Sequence, residues 1–242
     1  MPFPQDNASS WKIVPQGDRS VIVVFGDQIN VEIGHQCATA ANALRAANIT
    51  GVSDIVSTFN SVALHFQPRL FDAAIGFERM AGDIDKVLAN ALVQGANIAA
   101  SRQIDIPVCY GGQYGPDLAH VAQHCKLSEA DVIRLHSGST AYVFMLGFAP
   151  GAPYIGVHDP KLAIGRRSTP RTDVPAGSVA IANLQTMIYP NTSPGGWHII
   201  GATPLVLFDP DQEPATLLAP GDTVRFVPID QQAFLAARRV RT

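Results

Sequence analysis

The sequence predicts an α+β chain in two parts: a small ferredoxin-like α/β unit over residues 1–105, then a β-barrel unit over residues 106–242. Three observations carry this. The first hundred residues alternate strand-like and helix-like periods. Twelve of the 18 prolines fall between Pro150 and Pro228, where proline's missing donor forbids long helices and uninterrupted central strands. With 47% hydrophobic and 15% charged residues over 242 positions, the chain is apolar enough to fill one or two full-sized cores.

Residues 20–25, Ser-Val-Ile-Val-Val-Phe, read as a buried strand because β-branched side chains pack well on a pleated surface. Gly26 and Asp27 end it. Ile33, Cys37, Ala40, Ala41, Leu44 and Ala47 recur at helical spacing, predicting an amphipathic helix over 31–48 with Asn30 as N-cap. Strands at 52–58 and 61–66 follow as a hairpin joined at Asn60. Ile84, Val87, Leu88, Ala91 and Leu92 return to helix period over 83–95. Ile104, Ile106 and Val108 then alternate as a last strand. The order βαββαβ is the ferredoxin-like pattern, a scaffold that hosts many unrelated functions.

After Gly111 the composition changes. Helices are expected at 116–125 and after Ser128, which is placed to cap Val132, Ile133 and Leu135. Short strands at 141–146, 178–182, 197–200, 204–208 and 223–227 come next, divided by turns such as Pro175-Ala176-Gly177 and Pro194-Gly195-Gly196. They predict a closed or nearly closed barrel.

A formal net charge of -3 gives no long-range attraction to nucleic acid or anionic lipid. The basic tail Arg238, Arg239 and Arg241 reads as a solvated end. Cys37, Cys109 and Cys125 are odd in number and far apart, against a disulfide framework or thiolate zinc site, and the expected location is a reducing cytoplasm. No secretion signal or membrane span is expected, since no stretch approaches 18 apolar residues. None of Lys12, Lys86, Lys126 and Lys161 follows a glycine, so no Walker A loop exists. Ser178 lacks the Gly-x-Ser-x-Gly elbow. His120 and His124 have metal-compatible spacing, but without an intervening Glu they read as a solvated helix face. No metal site is expected.

The informative stretch runs Gly147-Phe-Ala-Pro-Gly-Ala-Pro-Tyr-Ile-Gly156, Arg166-Arg-Ser-Thr-Pro-Arg171, Val174-Pro-Ala-Gly-Ser178, Gln185-Thr-Met-Ile-Tyr-Pro190 and Ser193-Pro-Gly-Gly-Trp-His198. Glycine and proline fix loop geometry, while Arg166, Arg167 and Arg171 offer guanidinium forks matched to carboxylate or phosphate. An anion pocket is one reading; pairing of these arginines with Asp159, Asp173 or Asp209 is the other. Phe148, Tyr154 and Trp197 read as core packing before binding.

These segments, with Ile106-Pro-Val-Cys-Tyr-Gly-Gly-Gln-Tyr-Gly-Pro-Asp-Leu118, Leu135-His-Ser137 and Pro220-Gly-Asp-Thr-Val-Arg-Phe-Val-Pro228, resemble the family that holds the B-type subunit of 5-oxoprolinase, KipI and allophanate hydrolase subunit 1. The resemblance covers about half the chain. It implies a cyclophilin-like barrel after a smaller α/β domain. It also implies the smaller subunit of an ATP-dependent enzyme that opens 5-oxoproline, a cyclic amide. Its partners would be a larger KipA-like protein, the C-type subunit of 5-oxoprolinase, and a third, LamB-type subunit. ATP is the implied cofactor, shared with the partner. A KipI-like inhibitor of a histidine kinase, or an accessory to urea or guanidine carboxylation, stand as alternatives.

Carried onto this sequence, the candidate catalytic residues are His136, Arg171 and Gln185. The substrate- and anion-binding candidates are Phe148, Pro150, Tyr154, Arg166, Arg167, Thr169, Tyr189, Gly195, Gly196 and Trp197. The chain departs from the family pattern at Ala152, Ala180, Asn183, Met187 and His198. Ala152 and Met187 are expected to reshape the pocket, and His198 stands where the family usually has Gln.

Overall fold

The computed structural model describes residues 10–67, 77–93 and 102–239, and the chain divides into two compact units, residues 1–99 and 100–242. The first unit is a four-stranded antiparallel sheet with two helices. Its strands are β1 (Lys12–Gln16), β2 (Ser20–Val24), β3 (Val52–Ser57) and β4 (Ser61–Phe66), in the spatial order β1-β2-β4-β3. Helix α1 (Val31–Ala47) starts where Asn30 accepts the Ile33 amide at 2.9 Å and stops at Asn48 in the left-handed region, the end signals its sequence carries. Helix α2 (Phe77–Leu88) runs into a π-helical turn, Ala89–Val93; residues 94 and 95 of the expected helix lie outside the described residues.

Alternation sends Val21, Val23, Val62, Leu64 and Ile55 to one side of this sheet, where they meet Cys37, Ala40, Leu44, Met80, Ile84 and Leu88. Each large aliphatic side chain buried there contributes about 1.5–3 kcal/mol. Two details differ from expectation. Strand β1 carries no sequence signal of its own, because Lys-Ile-Val-Pro-Gln lacks alternation and holds a proline, which an edge strand tolerates. The strand at Ile104–Val108, expected to complete the βαββαβ order, belongs to the second unit.

That unit is a closed barrel in the order β10-β7-β6-β13-β5-β12-β9. Its strands are β5 (Gln103–Tyr110), β6 (Thr140–Leu146), β7 (Pro153–Gly156), β9 (Ser178–Ala182), β10 (Gln185–Ile188), β12 (His198–Ala202) and β13 (Thr223–Pro228). All pairs are antiparallel except β5 with β13, which is parallel. β8 (Arg171–Val174) and β11 (Ser193–Gly195) form a separate two-stranded ribbon. Closure removes the exposed edges of the barrel strands.

Inside, Ile106, Val108, Val143, Ile155, Val179, Ile188, Val224 and Phe226 pack together. Helices α3 (Leu118–Cys125) and α4 (Glu129–Ser137) form a further cluster with Ile181 and Ile200. Ser128 caps α4 as expected, accepting the Asp131 amide at 3.0 Å. The expected strand at 204–208 does not form beyond the bridge Phe208–Thr216, since Pro204 removes a donor at its start. The chain's last described element is α5 (Gln231–Arg239), which docks Phe234, 2% exposed, beside Tyr114 at 4.4 Å; Arg238 of the basic tail stays exposed, with its guanidinium over the Phe234 ring. Arg241 lies outside the described residues.

Candidate functional site

The candidate residues fall into three groups. The first is centred on an acid to which the sequence motifs assign no role. Asp117, just before α3, is 5% exposed. Its Oδ2 accepts from Arg171 Nη1 at 2.7 Å and the Ile199 amide at 2.8 Å; its Oδ1 accepts from Arg171 Nη2 at 2.8 Å and Arg167 Nη1 at 2.9 Å. Burial pushes this carboxyl up, but the Arg171 hydrogen bonds, the Ile199 amide and both guanidinium charges outweigh it and hold the pKa below the ordinary carboxylate range. The partner acid for the arginines is therefore Asp117, not Asp159, Asp173 or Asp209. Arg171 and Arg167 are structural fasteners first, and their forks are largely spent.

Arg166 differs. It is exposed, no ion pair to it exists among the described residues, and its charge reaches the Tyr189 phenol. It is the guanidinium of the three with its fork left for a ligand.

The second group lines the outer face of the barrel. Along β10, Thr186 and Ile188 turn inward while Met187, opposite Tyr154 of β7 and Ala180 of β9, turns outward. Met187, Ala180, Tyr189, Trp197, Ile199 and Val174 of the ribbon make one cluster, with Tyr154 against it. Tyr154 meets the Trp197 ring edge-on at 6.0 Å, and Phe148 meets Tyr189 edge-on at 6.4 Å. Phe148 is 63% exposed at φ +73°, a strained conformation for a non-glycine residue, of the kind that gathers at functional sites. Gly195 sits so close to Tyr189 that a Cβ there would overlap the hydroxyl. Burial pushes the Tyr189 phenol up; a Trp197 backbone hydrogen bond and the Arg166 charge offset part of that.

Pro150 and Thr169 are exposed at the margins, and Gln185 is half-buried beside Gly156. Of the departures from the family pattern, Met187 belongs to this outer face, whereas Ala152 is fully buried in its turn, its amide on Ala149 O at 3.0 Å. Asn183 and Leu184 take positive φ in the β9–β10 turn, the requirement of a type I′ hairpin, which Asn meets more readily than most residues.

The third group is internal. His136, at the end of α4, is 0% exposed and does not face solvent. Its Nδ1 meets the Tyr110 hydroxyl at 2.7 Å and its Nε2 meets Thr186 Oγ1 at 2.9 Å; His158 Nε2 closes on the same hydroxyl. Thr186 has one proton to give, so one histidine donates to it and the other accepts. Burial, then the neighbouring His158, drives the His136 pKa well below the ordinary value, and burial holds His158 at about 4. Both rings are neutral at physiological pH. As a direct substrate contact His136 is closed off, because both ring nitrogens are occupied in a sealed chain. His158, isolated in the sequence, is that chain's far end.

His198 donates from Nε2 to the Gly165 carbonyl at 3.1 Å and stacks on His120 at 5.2 Å. Among the described residues no three His, Cys, Asp or Glu side chains are arranged to hold a metal, and no helix is long and apolar enough to cross a membrane. The cysteines are free, and burial pushes the Cys37 thiol up to about 12, far from a working nucleophile. A triphosphate does not fit the described donors: Arg167 and Arg171 are committed to Asp117, leaving Arg166 alone on this face. A cavity of about 600 Å³ opens elsewhere, between Arg102, Val206 and Glu213. It is remote in sequence from these groups, and its Arg102 is tied to Asp222.

The barrel and the α/β unit together match a carboxyltransferase family described as subdomains C and D, over residues 11–218. A curated relative from Bacillus subtilis strain 168, named as the B-type subunit of 5-oxoprolinase, is 37% identical over 93% of this chain and 96% of its own. One of the same name from Haemophilus influenzae is 35% identical over 89% and 96%. The crystal structure of TTHA0988 superposes with a TM-score of 0.74 at 33% identity, covering 88% of this chain, which spans only 40% of that longer one. The fold and its match define a carboxyltransferase-type domain pair. Within that class the chain belongs to the family of the 5-oxoprolinase B-type subunit, the family its loop motifs indicate.

Proposed function

We propose that this chain is the smaller subunit of an ATP-dependent 5-oxoprolinase that opens a cyclic amide, working in the cytoplasm with a larger KipA-like subunit and a LamB-type third subunit. The observation that carries the reading is near full-length identity, 37% over 235 residues, with a protein named as the B-type subunit of 5-oxoprolinase. The outer barrel face suits a small anionic amide. Arg166 would hold a carboxylate, Tyr154, Tyr189 and Trp197 would frame a flat ring, and Gly195 and Gly196 would admit close backbone approach. Arg171 and Gln185 would act behind this front, Arg171 by positioning the loop through Asp117. Fixed donors aimed at a carbonyl oxygen stabilise the charge that grows on it as the amide is attacked.

The described residues offer no triphosphate cradle, so ATP would be held by the partner or at a site completed by it. Co-purifying the chain with its larger partner and following 5-oxoproline consumption tests the proposal. Turnover that requires this chain supports it. A complex that consumes no 5-oxoproline while the chain inhibits a histidine kinase overturns it in favour of a KipI-like regulator.

A further inference from the structure

Folded proteins leave few buried polar atoms without a hydrogen-bond partner, and each exception asks for an explanation. Here Arg167 Nε, Ser193 Oγ, Trp197 Nε1 and His198 Nδ1 are buried with none. All four come from one stretch of 32 residues, on and beside the β8–β11 ribbon. Their chemistry is not mixed at random. Trp197 Nε1–H and Arg167 Nε–H can only donate. His198 gives its Nε2 proton to Gly165, so its Nδ1 is an acceptor in the neutral ring, and the Ser193 hydroxyl serves either way. The chain crossing is fixed: the Arg167 amide donates to Gly196 O at 2.8 Å, directly before Trp197.

Trp197 is 4% exposed and packed against Tyr154, Met187 and Tyr189, so no water-filled surface explains its idle donor. Leaving such a donor buried and unpaired carries its full desolvation penalty, which a ligand oxygen would remove. The ribbon belongs to no barrel sheet, and a two-stranded piece is marginal alone. It is fastened by Val174 in the apolar cluster, by Gly195 packed against Tyr189, and by the Arg171 pair with Asp117.

We propose that Trp197 Nε1 and Arg167 Nε are the donors of a ligand subsite beneath the β8–β11 ribbon, which takes the carbonyl or carboxylate oxygen of a small planar ligand. This deepens the proposed function and rests on it for one point only, that the ligand is a lactam acid. Arg166 meets the ligand's charge at the rim, while Trp197 recognises the ring oxygen inside.

The test uses the full-length chain. It contains two tryptophans, so Trp11→Phe leaves Trp197 as the reporting indole, and calorimetry on the native chain checks the same binding. The probes are 5-oxoproline, 2-pyrrolidinone (the lactam without carboxylate), proline (the carboxylate without ring carbonyl) and inorganic phosphate. The expected result is a saturable change in Trp197 emission with 5-oxoproline, about tenfold weaker binding in Trp197→Phe, and the same loss for 2-pyrrolidinone. If 5-oxoproline binds Trp197→Phe as tightly as the native chain, the subsite is wrong while the substrate reading stands. If 2-pyrrolidinone or phosphate binds in a Trp197-dependent way and 5-oxoproline does not, the subsite stands and the substrate reading falls. If no probe binds, the subsite is overturned.

Discussion

Asp117 grips Arg171 with both carboxylate oxygens, at 2.7 and 2.8 Å, across 54 residues of sequence. The same carboxylate holds Arg167 and the Ile199 amide, so one acid ties the start of α3, the loop before β8 and strand β12 together. It changes how the three arginines are understood. Arg171 and Arg167 fasten the site, Arg167 keeping its Nε unpaired, and the Arg166 fork remains to face a ligand.

Asp117→Ala should therefore be severe. Removing one partner of a buried pair leaves two guanidinium groups uncompensated and costs about 3–5 kcal/mol. Chemical denaturation checks this. As a control, Arg225→Ala should stay near the parent chain, because Arg225 pairs with Asp105 in solvent.

The His136–Thr186–His158 chain predicts a pH dependence with a definite sign. Both histidines have folded pKa values depressed below their unfolded values, so the unfolded chain binds more protons in acid. Their contribution is complete above about pH 6.5 and is lost as pH falls towards the folded pKa, about 4 for His158. That histidine alone accounts for about 3 kcal/mol over the window. Urea midpoints should fall steeply as pH is lowered from neutrality towards the folded pKa, and less steeply in His158→Gln.

Neighbouring glycines should behave oppositely. Gly195→Ala drives a methyl into the Tyr189 hydroxyl and should disturb both stability and binding, whereas at Gly196 a Cβ would rest in ordinary contact with Pro170 at 3.6 Å. Binding calorimetry and thermal melts on the two variants distinguish them. Equal tolerance would mean that Tyr189 is free to move away.

Much of the fold is legible in the sequence because its signals are local. Helix α1 carries its cap and its period, Ser128 announces α4, and proline density marks the barrel. Strands β7, β8, β10 and β11 are not legible: each is three or four residues long, and their pairing is set by partners distant in sequence. β5 reads as the end of the first unit because alternation shows that a strand exists, not which sheet receives it. In the site, the arginines and aromatics stand out by type. Asp117 does not, although it lies within the motif at 106–118, since no local pattern says which acid will meet Arg167 and Arg171. Tyr110, Thr186 and His158 are likewise invisible as a group, being joined only by barrel closure.

In the proposed function, Arg166 and the outer barrel face serve a 5-oxoprolinase reaction. The most direct measurement is 5-oxoproline-dependent ATP hydrolysis by this chain combined with its larger partner, comparing the parent with Arg166→Ala. That role predicts turnover that needs this chain and a KM for 5-oxoproline raised about tenfold or more in Arg166→Ala, with folding unchanged because Arg166 is exposed. Turnover indifferent to this chain, or an Arg166→Ala complex with parental kcat/KM, would contradict it.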